Sequence, residues 1–250
     1  MTVLRIGWMN RFWALAGMAC LSTLALTVNL GGLPAQAATT PGFDDQASLF
    51  KIFYDCHPVQ NPCPGHAQVS DVASPSEDGD ALEINYESGN PSYMGAYAYI
   101  KLGTDDAATR YQINYDFYVT NKAPIQALEF PMNNYIRSTR YQWAMQWEQI
   151  GSGAPQWRLW NGTAWQAIGV PDSNINAGTW YHLTIDGDIV NGQVHYMDFI
   201  VHGVTHSLTQ YSFSPTSGAG DGLIAAMQVD GDSHADPYQV YLDNAHFYWK

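Results

Sequence analysis

The chain has 250 residues, with 10 Lys and Arg against 23 Asp and Glu, and a formal net charge of −13 at neutral pH. That balance argues against nucleic acid and anionic polysaccharide as partners, because each phosphate or carboxylate contact normally requires a Lys or Arg. Neutral ligands fit better.

In chain order, Arg5 and Arg11 precede an apolar run from Phe12 to Leu30, and Ala35-Gln36-Ala37 supplies a small-residue cleavage site. Residues 1–37 therefore read as a signal peptide, with a mature chain starting near Ala38. The run is long for a signal, which leaves an uncleaved anchor as an alternative. Cys20 raises lipid attachment, but Gly17-Met18-Ala19 lacks the large aliphatic residue such signals carry three positions upstream. After Leu33 no apolar run is long enough to span a bilayer, so the mature protein is expected to be secreted, extracellular or periplasmic, and free of the membrane once cleaved. Cleavage removes two arginines and no acid, taking the formal charge from −13 to −15.

Residues 38–250 read as a single domain with a loop-rich N-terminal part up to residue 80, broken only by a short first strand from Ala47 to Asp55. Within it, Cys56 and Cys63 flank a proline-containing loop. In an exported chain such a close pair is expected to form a disulfide. The competing reading is a zinc site built from Cys56, His57, Cys63 and His66.

Period-two alternation then predicts strands over Ala81–Glu87, Met94–Leu102, Tyr111–Thr120, Gln126–Asn133, Tyr141–Ile150, Gln156–Trp160, Ala164–Ile168, Trp180–Asp186, Gln193–Val201, Val204–Leu208, Leu223–Val229 and Tyr238–Trp249. No segment has a sustained 3.6-residue period. Asn161-Gly162, Asn191-Gly192 and His202-Gly203 punctuate the strands as turns. The Asp-Gly-Asp triplets at 78–80, 186–188 and 230–232 are irregularly spaced, and read as turns rather than a repeat. About a dozen strands without helices predict an all-β antiparallel sandwich of jelly-roll type.

Most of the aromatic load, including Trp143 and Trp147, is expected to fill the core. Gln142, Gln146 and Glu148 fall on one face of their strand by period two. Trp160 and Trp165 flank the Asn161-Gly162 turn as ring platforms for a sugar, with Gln142 and Gln146 as amide partners for hydroxyl groups.

The segment Gly178-Thr179-Trp180-Tyr181-His182-Leu183-Thr184-Ile185, followed by a hairpin, the strand Gln193–Val201 and the turn His202-Gly203, resembles the laminin G and concanavalin A-like jelly rolls. The ending Val240-Tyr241-Leu242-Asp243-Asn244-Ala245-His246-Phe247 is similar to the last strand of many carbohydrate-binding jelly rolls. These matches cover roughly the C-terminal 75 residues, and the strand pattern extends the likeness over most of the mature chain. The resemblance implies an extracellular glycan-binding module, or a glycan-cleaving enzyme on the same sheet. In the enzymes, one carboxylate acts as nucleophile and a second as acid and base. Glu129 and Glu148 are the candidates, lining one groove if their strands are neighbours. The resemblance also implies a structural calcium with Asp243 as a ligand, held by six to eight oxygens.

This chain departs from the catalytic relatives. The Glu-x-Asp-x-Glu strand of laminarinase-like hydrolases is missing, as are the Arg, Gln-x-His and Tyr motifs of the alginate lyases. No His-Glu-x-x-His or Gly-x-Ser-x-Gly pattern occurs either, so the strand histidines are expected to be structural. The expected role is noncatalytic recognition of a neutral polysaccharide, with no cofactor required. The alternatives are a glycoside hydrolase or lyase using Glu129 and Glu148, and a noncatalytic adhesive surface protein.

Overall fold

The computed structural model of the protein describes residues 38–39, 42–57, 65–87, 93–232 and 236–250. The signal segment and Cys63 lie outside the described residues, so the leader and the Cys56–Cys63 pairing are not among the features described. Seventeen strands are found among the described residues: β1 (Ala38–Thr39), β2 (Lys51–His57), β3 (His66–Val72), β4 (Ala81–Glu87), β5 (Tyr93–Gly103), β6 (Arg110–Val119), β7 (Ile125–Ile136), β8 (Thr139–Glu148), β9 (Gln156–Trp160), β10 (Trp165–Ala167), β11 (Trp180–Val190), β12 (Gln193–Val201), β13 (Val204–Ser207), β14 (Ser212–Phe213), β15 (Thr216–Ser217), β16 (Gly222–Gly231) and β17 (Tyr238–Trp249). A single turn of 3-10 helix, Ala47–Leu49, precedes β2, so the expected first strand begins later, at Lys51.

The strands form two antiparallel sheets. One runs β13-β12-β11-β6-β17-β4-β3, with β1 on β17 and β14 on β12; the other runs β10-β9-β8-β7-β16-β5-β2, with β15 on β8. β6 shows why the chain adopts this form. Tyr111, Ile113, Tyr115, Phe117 and Val119 are buried, while the residues between them face outward. Each strand with one apolar face needs a second sheet to cover it. The inward faces meet in aromatic pairs across the sandwich: Phe117 lies 5.0 Å from Phe130 and Trp157 lies 4.9 Å from Phe199, centroid to centroid. Trp143 and Trp147 are core, as expected of period two, and Trp157 joins them. Their sheet is tied to the opposite layer by polar edges, since Trp143 Nε1 donates to the His195 carbonyl at 2.9 Å and the Tyr115 hydroxyl donates to the Ala226 carbonyl at 3.0 Å.

β3 corrects the expectation of loop throughout that stretch. It is an edge strand paired only with β4, and Ala67 is its one buried residue. Such a strand carries no apolar alternation to read, because neighbouring backbone holds it rather than a buried face.

The Asp-Gly-Asp triplets also differ from the turn reading. Those at 186–188 and 230–232 sit at register shifts in β11 and β16. A Cβ on Gly187 would fall 2.3 Å from Trp143, and one on Gly231 would fall 2.2 Å from the Tyr86 hydroxyl. There glycine admits a buried aromatic rather than closing a hairpin.

Candidate functional site

The outward face of the β10-to-β2 sheet carries a groove of about 670 Å³. Its floor follows from the ladder register. Glu129 on β7 stands opposite Gln146 on β8 and Gln228 on β16. Gln228 stands opposite Tyr97 on β5, and Tyr97 opposite Phe53 on β2. Gln146 in turn faces Arg158 on β9. A single transverse row of outward side chains therefore reads Arg158, Gln146, Glu129, Gln228, Tyr97, Phe53.

Aromatic rings stand at both sides of this floor. On one side Phe53 is 64% exposed, and Tyr97 and Tyr99 hold their rings 5.8 Å apart. On the other, Trp160 and Trp165 are register partners with ring centroids 5.3 Å apart. The turn between them is held by Asn161, whose Oδ1 accepts the backbone N–H groups of Thr163 at 3.0 Å and Ala164 at 2.9 Å. Toward the β7–β8 hairpin the groove is lined by Tyr135, Arg140 and Gln142. Rings of this kind stack on the apolar faces of sugars, and amide and carboxyl groups between them hydrogen-bond hydroxyls.

Gln146 is 3% exposed and donates from Nε2 to Glu129 Oε1 at 2.8 Å. Desolvation on the groove floor, and then the nearby charge of Asp230, hold the Glu129 carboxyl well above the usual carboxylate range; Gln146 and the more distant Arg158 oppose this. Burial likewise pushes the Tyr97 phenol up.

Four of the expected site residues, Glu129, Gln142, Trp160 and Trp165, thus line one groove. Gln146 lies in its floor against Glu129. Glu148 shares the strand face of Gln146 as expected, and β7 and β8 are neighbours, but Glu148 is not among the described groove-lining residues. It is 5% exposed and accepts from Arg158 Nη1 at 2.6 Å and Gln156 Nε2 at 2.5 Å. Gly151 lies close over it, since a Cβ there would be 2.5 Å from Glu148 Oε1. Reasoning from sequence missed Phe53, Asp55, Tyr97, Tyr99, Tyr135, Arg140 and Gln228. The alternation Ala96-Tyr97-Ala98-Tyr99 carried a signal: alanines face the core and tyrosines face out, the reverse of the usual size order.

Asp243 lies on the other sheet and is 0% exposed. Its Oδ2 accepts the Glu77 N–H at 2.6 Å and its Oδ1 the Asn244 N–H at 2.7 Å. The Asn244 side-chain amide donates to Asp116 Oδ2 at 2.9 Å and Glu77 Oε2 at 3.2 Å. Among the described residues no group of three or more His, Cys, Asp or Glu side chains is arranged to hold a metal ion. The Asp243 and Asp116 carboxylates here accept N–H donors, and the charges of Asp116 and Asp243 add to desolvation in raising the Glu77 carboxyl pKa.

His182 and His195 lie on paired strands of that same sheet. His182 Nδ1 lies 2.7 Å from Asp116 Oδ1 and its Nε2 3.1 Å from Thr184 Oγ1. His195 is held between Asp188 at 2.6 Å and the Thr209 carbonyl at 3.1 Å. Both rings have partners at each nitrogen, in keeping with structural roles.

No family model matches the chain, and no curated protein does. Solved structures do. The chain is similar to the cellulose induced protein Cip1, at 7% identity over 84% of this chain and 96% of that one, with a TM-score of 0.50. It is also similar to the alginate lyase Aly36B, at 16% identity over 72% and 82% with a TM-score of 0.46, and to lectin II from Ulex europaeus, at 9% identity over 86% and 98% with a TM-score of 0.46. At such identities the likeness concerns the fold alone, a jelly-roll β-sandwich. Among the described residues no helix is long and apolar enough to cross a membrane.

Proposed function

We propose that this is an exported jelly-roll protein that binds a neutral polysaccharide along the groove, without cleaving it. The observation that carries the reading is the pair of aromatic walls, Phe53, Tyr97 and Tyr99 facing Trp160 and Trp165, across a floor of Glu129, Gln142 and Gln228. An open trough spanning several strands suits a chain rather than a small molecule. The acidity of the protein turns away polyanions. Carbohydrate-binding and carbohydrate-cleaving proteins share this fold, and export with a Cys56–Cys63 disulfide belongs to the same reading.

A second reading, glycan cleavage, draws on one observation. A carboxyl held above the usual range, as Glu129 is, keeps its proton to higher pH than an ordinary carboxylate, as a general acid requires. Its expected partner Glu148 is committed to Arg158 and Gln156, which favours binding over catalysis.

The test is incubation of the mature protein with soluble and insoluble glucans, xylans and mannans, scoring retention and released oligosaccharides together. Retention without release, lost in a Trp160→Ala Trp165→Ala variant, is the expected result. Release that vanishes in Glu129→Gln would establish cleavage, and neither signal would shift the groove to protein adhesion.

A further inference from the structure

Among the described residues lining the groove, Arg140 is the single cation, while Asp55 and Glu129 are the acids. Other cations of the fold are spent elsewhere: Arg158 on Glu148 at 2.6 Å, Arg110 on Asp186 at 2.7 Å and Lys101 on Asp221 at 2.7 Å. Arg140 has no carboxylate partner among the described residues. Its Nε donates to Asn133 Oδ1 at 2.8 Å, and its guanidinium carbon lies 5.8 Å from the centroid of the Tyr135 ring. Nη1 and Nη2 make no hydrogen bond among the described residues, which leaves four N–H donors unspent.

The support beneath this guanidinium is built rather than incidental. Asn133 is 1% exposed, and while its Oδ1 fixes Arg140 its Nδ2 donates to the Tyr97 hydroxyl at 3.2 Å, so the arginine and the tyrosine wall share one buried anchor. Tyr135 is the register partner of Arg140 across β7 and β8, and the strand β15 pairs alongside at Thr216. A Cβ on Gly220 would fall 2.5 Å from the Tyr135 ring, and one on Gly218 would fall 2.7 Å from that ring and 3.0 Å from Arg140 Cβ. The segment 218–220 therefore lies flat on Tyr135 and holds the pair in place. A guanidinium with its Nε anchored and its outer edge free presents a fork matched to the two oxygens of a carboxylate, at little further cost in side-chain freedom.

We infer that Arg140 is a specificity-determining residue that binds a carboxylate on the glycan, so that the groove prefers a mainly neutral polysaccharide bearing sparse uronate groups to the same polymer without them. The inference rests on the groove being a glycan site. One free guanidinium accommodates one carboxylate. A polyuronate would set further carboxylates against a protein whose formal charge is −13, and −15 once residues 1–37 are removed, with no second cation among the described residues lining the groove, so sparse decoration is the class that fits.

The test uses glucomannan and mixed-linkage β-glucan, each untreated and sparsely oxidised at C6 to the uronate, and glucuronoxylan before and after carboxyl reduction. Retention is measured on the immobilised mature protein. The expected result is roughly tenfold tighter binding of the carboxylate form of a polymer, as for a hydrogen-bonded charge pair. That preference shrinks at high salt, disappears in Arg140→Gln and is partly kept in Arg140→Lys. Equal binding of both forms by the wild type overturns the inference and leaves the glycan reading standing. Equal loss of both forms in Arg140→Gln also overturns it, making the arginine a support for the groove wall. Binding of no polymer in either form overturns the glycan reading itself.

Discussion

Gln146 and Glu129 face one another across the β7–β8 ladder, and the amide of the first donates to the carboxyl of the second at 2.8 Å. This contact places a carboxyl group on the floor of an aromatic-walled trough. Its protonation then controls what the floor offers a ligand.

Glycan affinity is expected to fall as pH rises through the range of Glu129. That range lies well above the ordinary carboxylate value, because desolvation and Asp230 both disfavour the charge. Protonated Glu129 offers a sugar an O–H donor; ionised, it loses the donor and adds a charge that the ligand must cover. Binding therefore takes up protons, and calorimetry of wild type between about pH 5 and 9 should show affinity declining with pH. Glu129→Gln keeps the shape and cannot ionise, so its affinity should be level. A level wild-type profile would count against this role.

Stability should change in the same direction. Asp44, Glu77, Glu129 and Asp186 all have raised carboxyl pKa values, in each case with desolvation as the first cause. A raised carboxyl holds its proton more tightly folded than unfolded. Between the ordinary values of 3.8 for Asp and 4.5 for Glu and the raised ones, the folded protein binds more protons, so stability falls as pH rises through that window. Thermal unfolding should give a higher Tm at pH 5 than at pH 8, and the reverse order would show that other groups dominate.

The distribution of roles along β8 shows what was legible from sequence and what was not. Alternation put Trp143 and Trp147 inside and Gln142, Gln146 and Glu148 on the opposite face; the two tryptophans are core and Gln142 is part-exposed, but Gln146 and Glu148 are buried as well. What separates Gln142, in the groove, from Glu148, sealed under Gly151, is tertiary: the loop after β8 covers one end of the strand only. Period two names a face and not its cover. The opposite wall was hidden for another reason, since Phe53 and Tyr97 come together only through the β2–β5 pairing, which no local pattern encodes. Arg140 carries no local signal either, because the groups that hold it, Asn133 and Tyr135, lie across the β7–β8 ladder.

Glu148→Gln is accordingly a stability variant. The pair with Arg158 is mostly buried, with side chains 7% and 21% exposed. Removing one charge leaves the other desolvated, which costs about 3 kcal/mol for a buried pair. The expectation is a lowered Tm with glycan retention unchanged at temperatures where the variant is folded. Lost retention with an unchanged Tm would return Glu148 to the ligand site.

Calcium addition or chelation should leave Tm unchanged. Both Asp243 oxygens accept backbone N–H groups, and the Asn244 amide already bridges Asp116 and Glu77. A cation would have to share those oxygens with the N–H donors and assemble at least six oxygens in all. A clear rise in Tm with millimolar calcium, reversed by EDTA, would instead make Asp243 a ligand.

Gly187→Ala should be among the most damaging of the small substitutions. The added methyl would meet Trp143 Cδ1 and Nε1 at 2.3 Å and the His195 carbonyl at 3.0 Å, and that indole N–H is already bonded to the same carbonyl. Trp143 is fully buried and stacked 4.7 Å from Tyr111, so it has no space to retreat into. Overpacking of this kind costs about 1–3 kcal/mol, and the lost indole hydrogen bond adds to it. Gly192→Ala is the control: its Cβ meets nothing within 4 Å, and only the backbone strain of φ +74° opposes it, at about 1 kcal/mol. Denaturant unfolding should rank Gly187→Ala well below Gly192→Ala, and equal losses would mean that β11 shifts to make room for the methyl.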